Sequence, residues 1–250
     1  MVANRKKFQG VLNILSFNRH FYVIGFLILV TLITIITNLK LPNLFLWFVI
    51  GVFAYGLVTP LLVSAYVYDF SGYYSFKWLQ PHINNNASVK KIVNINAGFD
   101  ETSFIIKNKF PTSEIKVFDF YDKKQHTEPA IVRARKVTTT YPNTQQITTN
   151  KIPLKDKSTD LVFLLSAAHE IRCNKEKQVF LTECKRICKE DGKIIMVEHL
   201  RDIPNFLAFS VGFTHFFSKK TWKDTLLKSG FTKIEEVKFT PFMSVFTCNN

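Results

Sequence analysis

Lys91-Ile92-Val93-Asn94-Ile95-Asn96-Ala97-Gly98-Phe99-Asp100 decides the fold of most of this 250-residue chain. Lys91–Ile95 reads as a short apolar strand. A polar turn with one glycine follows, and Thr102–Phe110 reads as a helix ended by Pro111. A strand that runs through a glycine turn into a helix opens a nucleotide-binding α/β sheet. Asp119 closes a second strand, Glu114–Phe120, about twenty residues later, where an acid can bind both hydroxyls of a ribose.

Downstream, strands and helices keep alternating. His126–Lys136 is predicted helical, with Thr127 as cap, Pro129 near the first helical position, and Arg133, Arg135 and Lys136 as a solvated basic end. Gln146–Thr149 is a weak third strand. Asp160–Ser166 is an apolar fourth strand of the kind buried on both faces. Asn174–Lys189 is a helix, Asp191-Gly192 turns the chain, and Lys193–Glu198 is a fifth strand. Lys219–Ser229 is a helix closed by Gly230, and Thr232–Thr240 and Phe242–Cys248 finish the chain as strands. This order predicts an α/β, Rossmann-like parallel sheet with a C-terminal antiparallel strand.

Upstream, the chemistry changes. Phe21–Leu39 and Leu41–Tyr68 carry no charge except for Lys40 between them, and no acidic residue precedes Asp69. A helix rising about 1.5 Å per residue needs about 20 apolar residues to cross a bilayer core. The runs are apolar all round, unlike an amphipathic surface helix, and a second long span argues against a signal peptide. We expect an anchor over residues 1–72, with transmembrane helices near 21–39 and 42–66, a juxtamembrane linker over 73–88 and a soluble domain over 89–250. Arg5, Lys6, Lys7 and Arg19 before the first span, and Lys77, Lys90 and Lys91 after the second, place both termini and the domain in the cytoplasm of a two-pass protein.

The net charge is +14, of which residues 69–250 carry +9, a balance that suits anionic headgroups. Without an ordered basic and aromatic motif, nucleic acid is an unlikely partner. Cys173, Cys184, Cys188 and Cys248 form no C-x-x-C pair, so reduced thiols and no metal site are expected. Ile203–Phe217 has no charged residue and holds Phe206, Phe209, Phe213, Phe216 and Phe217. It reads as core packing or as a lid over an apolar pocket at the bilayer surface.

Four segments carry a family resemblance: Lys91–Gly98, Val117-Phe118-Asp119, Ile152–Phe163 and Lys185–Glu198. In order and content they resemble a class I S-adenosylmethionine-dependent methyltransferase of the type 11 group. The resemblance implies S-adenosylmethionine as cofactor, with Asn94, Asn96, Gly98, Asp119, Asn150 and Ser166 as its binding residues. Asn94 stands where the family has an acid, and Asn96 and Asp100 stand where it has glycines. His169, Glu170 and His199 are the catalytic candidates, because ligands bind at the carboxyl ends of such strands and a neutral imidazole accepts a proton near pH 7. Glu198 lies beside His199. With the anchor, the resemblance implies a bilayer-bound enzyme with a small, apolar or membrane-resident acceptor. A non-catalytic scaffold on a degenerate methyltransferase fold is the alternative.

Overall fold

Alternate residues of a strand point to opposite sides, so a sheet buried on both faces needs apolar residues at nearly every position. β1 (Lys91–Asn96), β4 (Thr159–Leu165) and β5 (Cys188–His199) meet that need and form the centre of a seven-stranded sheet. The computed structural model describes residues 5–83, 89–125 and 128–249. With β2 (Glu114–Asp119), β3 (Gln145–Gln146), β6 (Lys233–Lys238) and β7 (Met243–Asn249), the strand order is β3-β2-β1-β4-β5-β7-β6. β7 is antiparallel to both β5 and β6, and the other pairings are parallel. The carboxyl ends of β1, β2, β4 and β5 therefore open on one edge, at the point where the strand order reverses.

α6 (Asn174–Ile187) and α8 (Lys219–Lys228) cover one face, packing Phe180, Cys184, Trp222 and Leu226 against Val93, Val162 and Met196. On the other face, Ile106 of α4 (Ser103–Lys109) shares its core with Tyr73, Phe76, Trp78 and Leu79. The segment expected as a juxtamembrane linker thus forms part of a layer of the domain, in two short 3-10 turns, Tyr73–Ser75 and Lys77–His82. Burying a side chain such as Phe76 or Leu79 contributes about 1.5–3 kcal/mol, which explains why this stretch docks. Asn84–Ser88, the rest of that linker, lies outside the described residues.

Asp191-Gly192 does not precede β5 but lies inside it. The register passes from Thr159↔Cys188 to Leu161↔Lys193, so the extra residues bulge out. A Cβ on Gly192 would lie 3.0 Å from the carbonyls of Thr159 and Asp160, so the bulge needs glycine.

The two apolar runs are α2 (Arg19–Asn38) and α3 (Asn43–Ala65), both long and apolar enough to cross a membrane. They pair with Gly25 against Leu57, and almost none of either is buried. A further helix, α1 (Gln9–Phe17), precedes them. Its first amides, on Gly10 and Val11, donate to the Asp69 carboxylate at 2.8 and 3.0 Å. α1 has no local signature, because its cap comes from about sixty residues away.

Candidate active site

The turn after β1 is held by its own side chains. The Asn96 Oδ1 accepts from the Gly98 N–H at 2.8 Å, and Gly98 sits at φ +88°, which glycine adopts without strain. The Asp100 Oδ1 accepts from the Thr102 and Ser103 amides and starts α4. The Asn94 Nδ2 donates to the Thr102 and Ser103 hydroxyls, so Asn94 ties β1 to α4. The Asn96 Nδ2 is buried and has no partner among the described residues.

Asp119 ends β2 beside this turn. Its Oδ1 accepts from the Tyr121 amide at 2.8 Å, and its Oδ2 accepts from the Arg135 guanidinium at 2.9 Å. Arg135 belongs to α5 (Pro129–Val137). Its guanidinium also covers Gly98, where a Cβ would meet an Arg135 nitrogen at 1.8 Å. The basic end of α5 is therefore not simply solvated: Arg135 fills the cradle formed by Gly98 and Asp119. Arg133 points the other way, to the Phe17 carbonyl and to the His20 Nδ1 at 2.8 Å. α5 thus straps the end of α1 and the start of α2 to the cradle, and Phe17, Phe99, Tyr121, Ile131 and Ala134 pack beneath it. His126 and Thr127, expected at the start of this helix, lie outside the described residues.

The ends of β4 and β5 carry the second half of the site. The Glu198 carboxylate accepts from the His169 ring at 2.7 Å and from the His169 amide at 3.3 Å. On its other side, the His169 Nε2 lies 3.4 Å from Glu170. Burial alone lowers the His169 pKa, but the two carboxylates outweigh it and push it up to about 10. His169 thus holds its proton at neutral pH, where the sequence reading expected a free base. His215 stacks edge-on against His169 with ring centroids 5.0 Å apart.

His199 is built differently. Its Nδ1 faces Asn205 and the Phe242 carbonyl, and its Nε2 is 2.9 Å from the Tyr68 hydroxyl. Burial lowers its pKa to about 4, and it stacks on Phe216. His199 is therefore a neutral post between the Phe-rich segment and the chain leaving α3. Ser166 follows β4 at φ 51°, with its hydroxyl 3.4 Å from that of Tyr73. Asn150 sits on an exposed turn, accepting from Thr148, and lines a groove with Glu183 and Arg186. The structure brings Asn96, Gly98 and Asp119 together, and His169 with Glu170, but it sets Asn150 among other partners.

Three features of the site escaped the sequence reading. Arg135 reads in the sequence as part of a solvated basic helix end, because its pairing with Asp119 depends on the angle of α5. His215 lies in the Phe-rich stretch, far along the chain from His169. Glu101 follows the glycine turn and accepts from Arg5, Gln9, Asn13 and Tyr74 at once, fastening α1 to the rim.

The strand order, with its antiparallel β7, and the glycine turn that faces an acid define the class I methyltransferase fold. A family model described as a methyltransferase domain matches residues 123–196. Human N-acetylserotonin methyltransferase, solved with S-adenosylmethionine, superposes with a TM-score of 0.52 at 14% identity, covering 86% of this chain and 61% of its own. A methyltransferase of Aquifex aeolicus that depends on the same cofactor reaches a TM-score of 0.44 at 14% identity, covering 64% of this chain and 81% of its own. No curated protein matches the chain in sequence.

Proposed function

We propose that the protein is a membrane-anchored methyltransferase that uses S-adenosylmethionine and acts on an apolar or membrane-resident acceptor. The cofactor rests on the fold and on the matched domain segment. The cradle fits it: Asp119 suits a ribose diol, Gly98 allows close approach, and the orphaned Asn96 Nδ2 offers a donor. Arg135 occupies the same space and has to swing out for the cofactor to enter; it is a flexible side chain held by one ion pair and by the face of the Tyr121 ring. The cofactor supplies an already activated methyl group. The chain's own task is to align the acceptor and exclude water. Tyr68, Tyr73 and Phe216 lie along the mouth, and His169 is held there between the Glu198 and Glu170 carboxylates.

One observation carries the acceptor class. The α2–α3 hairpin is docked to the lip of the mouth, with the Tyr55 hydroxyl donating to the Leu207 carbonyl. Leu207 lies in α7 (Ile203–Phe209), and Ile203, Phe206, Leu207 and the neighbouring Val211 are all exposed. An apolar patch continuous with two unburied apolar helices suits a bilayer. Core helices of a soluble protein would be buried, which supports the anchor reading. The basic flanks support an orientation with the domain and both termini in the cytoplasm.

Full-length protein in nanodiscs, supplied with methyl-labelled cofactor and a cell lipid extract, should place label in the organic phase. Label confined to water-soluble acceptors would overturn the acceptor class. A second reading, a scaffold that binds no cofactor, is favoured by Arg135 filling the cradle. It predicts no cofactor heat in calorimetry even for Arg135→Ala.

A further inference from the structure

We propose that His169, Glu170 and His215 form a binding site for a divalent first-row transition metal ion, with zinc as the reference. One ligand atom from each of the three lies within 4.8 Å of the others. Ligand atoms around a bound zinc are roughly 3.3 Å apart, so side-chain shifts of about 1 Å close the set.

The surroundings are those of a ligand site. Metal-binding histidines usually have a carboxylate behind the ring, which fixes the tautomer and leaves the other nitrogen for the ion. Glu198, at the end of β5, does this for His169, contacting both its ring and its amide. Its side chain is 1% exposed, so it is a fixed part of the core. Glu128 lies 3.4 Å from the His215 Nδ1 and serves the second histidine. Arg172 then joins the two loops: one guanidinium nitrogen donates to the His169 carbonyl at 3.1 Å and to the His215 carbonyl at 2.7 Å. The histidines, far apart in sequence, are thus held face to edge by a dedicated residue.

Charge points the same way. Three carboxylates, Glu128, Glu170 and Glu198, converge on two imidazoles. Two nitrogens and a carboxylate oxygen suit zinc, iron, cobalt or nickel, whereas magnesium and calcium prefer oxygen alone. The site stands whether or not the domain transfers methyl groups, so its test uses neither cofactor nor acceptor. If the methyltransferase reading holds, the ion sits at the acceptor mouth, ready to bind an acceptor oxygen.

Full-length protein in detergent is stripped with a chelator, dialysed and titrated with zinc chloride, with magnesium chloride as control. We expect about one zinc per chain by elemental analysis, a rise in melting temperature with zinc alone, and a tetrahedral or five-coordinate visible spectrum with cobalt. His215→Ala and Glu170→Gln should lose the cobalt spectrum, and Glu198→Gln should weaken zinc roughly 10- to 100-fold. Should the melting temperature of a variant show misfolding, the wild-type titration alone decides. No retained zinc, or zinc binding unchanged in well-folded His215→Ala and Glu170→Gln, would overturn the site and leave the cluster bridged by a proton.

Discussion

The carboxyl ends of β1 and β2 and those of β4 and β5 lie side by side on one sheet edge, yet they are built in opposite ways. At β4 and β5 the polar groups are locked: Glu198 grips His169 twice, and both nitrogens of His199 are engaged. At β1 and β2 the cradle is closed by a single long side chain, Arg135, and a buried donor of Asn96 is left over. A locked half suits a site that must present fixed chemistry. A half closed by one movable cation suits a ligand that arrives and leaves. The contrast teaches that a pairing already satisfied in the free protein is weak ground for assigning a residue to structure alone.

The locked half should give the largest effect. Glu198→Ala removes the nearer of the two carboxylates that hold the buried His169 and leaves its Nδ1 and amide unpaired, a loss of up to about 3–5 kcal/mol by the usual scale of broken buried pairs. Chemical denaturation in detergent should show it. A loss no greater than that of an exposed substitution would mean that the pair is not locked. In the movable half, Asp119→Ala removes an acceptor for two ribose hydroxyls and should weaken cofactor binding by about 3 kcal/mol, over 100-fold. Unchanged affinity would remove Asp119 from the site.

Lys177 sharpens the contrast from beneath the Phe-rich segment. It is buried, with its ammonium 3.1 Å from the centroid of the Phe217 ring, and burial lowers its pKa to about 8. The unfolded chain holds this proton up to the ordinary lysine value. Between pH 8 and that value the unfolded state therefore binds more protons, and wild-type stability rises relative to Lys177→Met. Below pH 8 the burial penalty is complete and the difference is flat. A difference that is flat from pH 7 to 10 would contradict this assignment. Arg135→Ala should give the smallest change, cofactor binding tighter by about tenfold or less, since an ion pair whose cation reaches solvent is worth about 1 kcal/mol.

The sheet was legible because buried strands announce themselves: Lys91–Ile95 and Asp160–Ser166 fall within one residue of β1 and β4. The apolar runs likewise fall on α2 and α3. Elements stabilised from a distance were not legible. α1 is capped by Asp69, and Tyr73–His82 gains its order by lying on the sheet. In the site, Gly98 and Asp119 follow from strand-end spacing, and His169 from its place after β4. The protonation of His169 was out of reach, because it depends on Glu198 crossing from the next strand. So was Arg135, whose partner lies on a different element.

Calorimetry of the full-length protein in nanodiscs with S-adenosylmethionine tests the central claim most directly. Saturable binding of about one cofactor per chain is expected, weakened roughly 100-fold or more in Asp119→Ala and strengthened in Arg135→Ala. No heat with either the wild type or Arg135→Ala, both shown to be folded, would contradict it.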